Sequence, residues 1–165
     1  MTAAVLAAPA AGENAATSQQ GTLERQLLGQ VNSLRAQHGL RPLRLSRPLS
    51  AAAKRHSLDM AERGFFSHTS ADGTAFWKRI RRFYSAEGFR SWRVGENLVW
   101  ESPALPAADA ISMWMKSESH RANLLSPAWR EVGISAVRSE TAPGVYRGLP
   151  AVIVTADFGA REKSS

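Results

Sequence analysis

Residues Trp114–Ser135 read WMKSESHRANLLSPAWREVGIS, and a shorter run upstream, Gly95–Trp100, reads GENLVW. The longer stretch starts on the tail of an amphipathic segment and passes through a polar turn carrying His120. It is then interrupted at Ser126-Pro127 and enters a β-type run through Val132-Gly133-Ile134. A helical period, a proline break and a β-type run in that order read as helix, loop and strand. Ser67-His68-Thr69-Ser70 adds a second histidine at an element boundary, where small polar residues collect. Two histidines and several carboxylates are the ingredients of a metal or acid/base pocket, although spacing alone does not bring them together.

Outward from this stretch, the N-terminal half is helical in pattern. Leu23, Leu27, Val31 and Leu34 follow Thr22 on one helix face, with Asn32 and Arg35 on its sides, and His38-Gly39 closes the helix. Ser46 is placed to cap a second helix with Pro48 in its first turn; Leu49, Ala53, His56 and Met60 form its inner face and Gly64 ends it. A third, shorter helix spans 75–83, with Phe76, Trp77 and Ile80 as its apolar side and Lys78, Arg79, Arg81 and Arg82 as its basic side. Residues 88–92 read as loop and 96–100 as strand. Pro106 opens a fourth helix over 107–116 with Ala110, Ile111 and Trp114 inward, and 119–125 forms a helical turn. Residues 133–138 and 151–158 are strand-like, joined by a long tip containing Pro143-Gly144 and Gly148-Leu149-Pro150, so a hairpin is expected. Helices first and strands late predict an α+β domain, with helices on the faces of a small, mainly antiparallel sheet.

At 165 residues, 44% apolar and 21% charged, the chain suits one domain over 22–160 with a real core, flanked by a leader over 1–20 and a tail over 161–165. There is no cysteine, which removes disulfides and thiolate metal sites. The leader, MTAAVLAAPA, resembles the back half of a signal peptide with cleavage near Ala8-Pro9-Ala10, without the charged first region. No run is long enough to span a bilayer. A net charge of +7, mostly arginine, predicts either association with polyanions or a merely solvated basic surface. The Lys78–Arg82 cluster is the candidate polyanion site, with anionic envelope polymers or lipid headgroups as partners. Nucleic acid is not expected, because no DNA or RNA motif accompanies the charge.

Of the four histidines, His38 reads as a helix C-terminal cation and His56 as a core histidine. His68 and His120, by spacing alone, read as loop histidines bonded to backbone. Trp92 and Trp129, beside arginines, are candidates for ligand contact.

Ser67-His68, Gly95-Glu96-Asn97-Leu98, Trp114 through Leu125, Glu131-Val132-Gly133-Ile134 and Ala156-Asp157-Phe158-Gly159, in this order, resemble the CAP superfamily of cysteine-rich secretory, antigen 5 and pathogenesis-related proteins. The likeness is to its bacterial, cysteine-free SCP-domain branch and covers about Leu23 to Gly159. It implies a three-layer α-β-α sandwich whose cleft holds His68, Glu96 and His120 as ligands for zinc or another divalent cation, with Glu96 as the candidate base of any catalysis. Where many members place a second cleft glutamate, this chain has Ser117. Glu131 is the remaining carboxylate, expected either to face the cleft or to pair with Arg121 or Arg130. Asn97 and Asn123 are expected to satisfy backbone groups around the cleft, and Arg121 to orient a carboxylate. A secreted or envelope-associated monomer is expected, working as a binding module for a lipid-like or wall-associated ligand. A metal-dependent hydrolase acting on peptide or wall material is the alternative.

Overall fold

The computed structural model describes residues 11–163. Helix α1 runs over Ala11–Gln37, followed by strand β1 at Arg44–Leu45, α2 at Arg47–Arg63 and α3 at Phe76–Arg81. Strand β2 spans Phe89–Glu101, α4 Ala107–Lys116, α5 Glu118–Leu124, β3 Glu131–Ala142 and β4 Leu149–Lys163. The sheet order is β1-β3-β4-β2, with β1 parallel to β3 and the other pairs antiparallel. Helices lie on both faces, so the chain forms an α-β-α sandwich.

Period-two alternation in β4 sorts the two cores. Val152, Val154, Ala156 and Phe158 face α1, α4 and α5, where they meet Leu27, Val31, Ala110, Trp114 and Leu124. Ala151 and Ile153 face α2, meeting Met60 and Ala61. Thr155 turns the same way and accepts a hydrogen bond from Ser57 of α2. The next residue on that face is Asp157.

Helix α2 follows its sequence pattern closely. Leu49, Ala53, His56 and Met60 are all buried, Pro48 sits in the first turn, and Gly64 stops the helix at φ 70°. Ser46 occupies the cap position, but its side chain makes no cap hydrogen bond. Its backbone N–H donates to Val132 O, which ties the start of α2 to β3. The contact is close because Gly133 has no side chain: a Cβ there would come within 2.0 Å of the Leu49–Ser50 backbone.

Several boundaries depart from the sequence reading. Helix α1 begins at Ala11, so residues 11–20 of the expected leader belong to the helix; residues 1–10 lie outside the described residues. Residues 161–163 of the expected tail continue β4, paired with β2 from Trp92 back to Phe89. The expected loop at 88–92 is mostly strand for the same reason. Cross-strand pairing supplies hydrogen bonds that no local propensity announces. Trp77 is 41% exposed, not inward. Arg35 is buried rather than lateral, donating to the carbonyls of Arg41, Leu124 and Ser126, and so fastens the end of α1 to the end of α5.

Candidate functional site

Strand β2 lies at the sheet edge opposite β1. Glu96 points from it toward α2 and α3, and its neighbour Asn97 points toward α5. The α2–α3 loop carries His68 to this edge from one layer, and α5 carries His120 from the other. Their ring centroids stand 6.4 Å apart. His68, Glu96 and His120 therefore come together, 28 and 24 residues of chain notwithstanding.

Glu96 is the centre of the arrangement. Its carboxylate is 1% exposed; one oxygen is 2.8 Å from His68 Nδ1 and the other is held by the Arg79 guanidinium. Burial alone would raise its pKa, but the His68 hydrogen bond and the Arg79 charge outweigh burial and hold it below the usual carboxylate range. Directly opposite, at its register partner on β4, sits Asp157, fully buried. Two carboxyls facing each other across an antiparallel pair cannot both ionise cheaply. Burial, then the charge on Glu96, drives the Asp157 pKa well above its ordinary value. Burial and the neighbouring carboxylate thus favour the protonated form of Asp157, and His68 and Arg79 favour the charged form of Glu96.

Two asparagines brace this edge. Asn97 donates to His120 O at 3.0 Å, and Asn123 donates to Glu96 O and to Asn97 Oδ1. The His120 pKa is lowered by partial burial and then by the neighbouring His68. His56 is fully buried on α2; its Nε2 donates to Ser67 O at 2.8 Å, fixing the start of the His68 loop. Burial, with Arg79 second, lowers its pKa and keeps it neutral.

Other expected members lie elsewhere. Glu131 is on β3, separated from β2 by β4, and accepts from the Tyr84 hydroxyl at 2.5 Å; neither Arg121 nor Arg130 reaches it. Arg121 is exposed and donates to Met115 O, so it orients no carboxylate. Arg130 donates to the carbonyls of Pro127, Ala128 and Trp129. Trp129 stacks on Phe158 in the core, and Trp92 donates from its indole to Tyr84 O, so both are packing residues. Lys78, Arg81 and Arg82 are exposed as expected, but Arg79 is 4% exposed and belongs to the Glu96 site.

The reading of the sequence missed Asp157 and the inward turn of Arg79, although a signal exists for each. Phe76 and Ile80 mark one face of α3, and residue 79 falls on that face at i+3. Asp157 continues the inward register of Ala151, Ile153 and Thr155.

The zinc set implied by the resemblance does not fit these residues as arranged. Both Glu96 oxygens are engaged, by His68 and by a permanent cation, and among the described residues no three His, Asp or Glu side chains are placed to hold a metal ion. What the arrangement provides is an imidazole oriented by a buried carboxylate, with a second imidazole beside it at the cleft surface.

The model of the CAP family, described as the cysteine-rich secretory protein family, matches residues 28–158. The chain is 29% identical over 137 residues to the uncharacterised Bacillus subtilis protein YkwD, covering 80% of this chain and 51% of that one. It is 33% identical over 120 residues to the uncharacterised membrane protein YlbC of the same species, covering 72% and 33%. The chain therefore spans about half the length of the first of these relatives and a third of the second. Among solved structures, an extracellular SCP-domain protein from Bacillus anthracis superposes with a TM-score of 0.70 at 25% identity, covering 95% of this chain and 45% of that one. An outer surface protein from Borrelia burgdorferi gives 0.65 at 22% identity, with 86% and 94% covered, and shares the fold.

Proposed function

The chain belongs to the cysteine-rich secretory protein (CAP) family, in its bacterial, cysteine-free form, and from that premise we propose that it acts outside the cell as a binding module for a lipid-like or wall-associated ligand. The observation that carries this reading is a cavity of about 380 Å³ between the middle of α1 and the segment leading into α4. Leu23, Leu105, Pro106, Ala136 and Val152 give it an apolar floor, and polar side chains of α1, among them Gln20 and Gln26, line it with Arg138. The volume falls within the roughly 300–1,000 Å³ of small-molecule sites. The apolar side chains favour an alkyl chain through burial worth about 25 cal/mol per Å², while the Arg138 guanidinium is already paired with Glu140 through Nε and Nη2. Arg138 is fixed in place by its bond to Pro103 O at 2.8 Å. Work outside the cell is supported by the extracellular SCP-domain protein from Bacillus anthracis, which this chain resembles over nearly its whole length.

Hydrolysis is the weaker reading. A general base needs a free lone pair directed at its substrate, and the Glu96 carboxylate is buried between His68 and Arg79. A resident metal forms no part of the proposal, since both Glu96 oxygens are engaged.

Titration of delipidated protein with a long-chain fatty acid tests the reading. Saturable binding is expected, with Leu23→Arg weakening it by roughly tenfold or more; because Leu23 also packs against the core, a melt confirms that the variant is folded at the titration temperature. No saturable binding, or equal binding by the variant, overturns it.

A further inference from the structure

A second cavity, of about 260 Å³, opens between α2 and α3, and the fatty-acid reading does not use it. Arg55, Arg63 and Arg82 stand around it, while Ser70, His56 and Arg79 line its inner side. Two of these inner residues carry unmet hydrogen-bonding capacity. Arg79 uses its terminal nitrogens on His68 O, Ser70 Oγ and Glu96, but its buried Nε has no partner. His56 donates through Nε2 to Ser67 O, which leaves Nδ1 as a bare acceptor, also buried and without a partner. Buried polar atoms are almost always satisfied. An orphaned donor and an orphaned acceptor, each on a residue that lines this cavity and each buried behind its surface, call for a guest that brings an acceptor and a donor together.

The surrounding charge narrows the guest. Arg55 and Arg82 are exposed and form no salt bridge among the described residues, whereas Arg63 is paired with Asp59 at 2.9 Å. Asp72, the other acid on the wall, accepts from the Thr74 backbone N–H at 2.8 Å. The cavity therefore presents the Arg55 and Arg82 guanidinium groups at its mouth, with Asp59 paired to Arg63 and the exposed Asp72 carboxylate acting on Arg82. We propose that it is a site for a phosphate monoester or free hydrogen phosphate. The anionic oxygens meet Arg55, Arg82 and the Arg79 Nε–H, and the P–OH donates to His56 Nδ1. Guanidinium groups recognise phosphate through paired, charge-assisted hydrogen bonds. Sulfate, which carries no proton at neutral pH, offers His56 nothing.

Calorimetry with inorganic phosphate, glycerol phosphate and sulfate, with side-chain NMR of the arginine Nε–H groups, tests the site on the full chain. Phosphate and glycerol phosphate are expected to bind several-fold more tightly than sulfate and to shift the Arg79 Nε–H signal. Arg55→Ala/Arg82→Ala, which alters only exposed positions, is expected to lower phosphate affinity by roughly tenfold or more without changing the melting temperature. Equal affinity for sulfate, an unmoved Arg79 signal, or undiminished binding by the double variant overturns the site. Vesicles containing phosphatidic acid separate the sources: retention lost in the double variant assigns a lipid headgroup, and binding of glycerol phosphate without retention assigns a soluble phosphate. Neither arginine touches the apolar cavity, so this result and the fatty-acid titration succeed or fail independently.

Discussion

Arg79 is one of four cations in the run Lys78–Arg82, yet it shares the inward face of α3 with Phe76 and Ile80 and ends against Glu96. A buried carboxylate stripped of its only permanent counter-charge is costly, so Arg79→Ala should destabilise the fold by about 3–5 kcal/mol. Arg79→Lys, which keeps the charge but loses the fork of donors, should cost less. Urea unfolding of both variants checks this, and equal stability of Arg79→Ala and the parent would remove the ion pair from the account of the fold. Two other residues give stability a pH dependence of opposite sign. The Asp157 pKa is raised in the folded state, so its contribution is present at low pH and lost as pH rises through that value. Asp157→Asn should therefore gain over the parent with rising pH. The His56 pKa is lowered, so its contribution is present above the ordinary histidine value of 6.5 and lost as pH falls through the folded value. Melting midpoints of parent and Asp157→Asn across about pH 5 to 9 read both effects; an Asn advantage that shrinks toward alkaline pH contradicts the assignment of the proton to Asp157.

Helix α2 depends on a glycine that belongs to another element. Its first turn presses onto β3 at Gly133, where any side chain would collide with backbone. Backbone cannot rotate aside as a flexible side chain can, so Gly133→Ala should destabilise by about 1–3 kcal/mol or more. Thermal melts will show it, and a neutral Gly133→Ala would mean that α2 shifts freely on the sheet. Because His56 anchors the start of the His68 loop from α2, that variant should also disturb the His68 and His120 resonances more than those of Trp114, which is held by Leu98 O on the other layer. Helix α3 makes the converse point. In a helix of six residues, the rotation about its axis is set by what it docks against, and propensity leaves it open.

Over the whole molecule, a charge of +7 leaves Lys78, Arg81 and Arg82 on an exposed face beside Trp77, whose ring lies 5.4 Å from Lys78 Nζ. Charge reversal at Lys78 and Arg81 should abolish low-salt retention on isolated cell envelopes while preserving the fold. Retention by the parent should itself fade near 0.15 M salt, where the Debye length is about 8 Å; salt-independent retention would point away from charge. Arg79 is unsuitable for this test because of its burial. The sequence by itself determined the alternation of helix and strand, the inner faces of α2 and α4, the hairpin of β3 and β4, and the family, because periodicity and motif order are properties of the chain. Only the tertiary structure decided that Arg79 turns inward, that Asp157 faces Glu96, that Glu131 goes to Tyr84, and that the Glu96 oxygens are engaged. Each of these depends on strand register and on the rotation of a short helix against the sheet. Those are set by packing between residues far apart in sequence; the spacing of Arg79 from Phe76 and the alternation through Asp157 tell which face a residue shares, and not what it meets there.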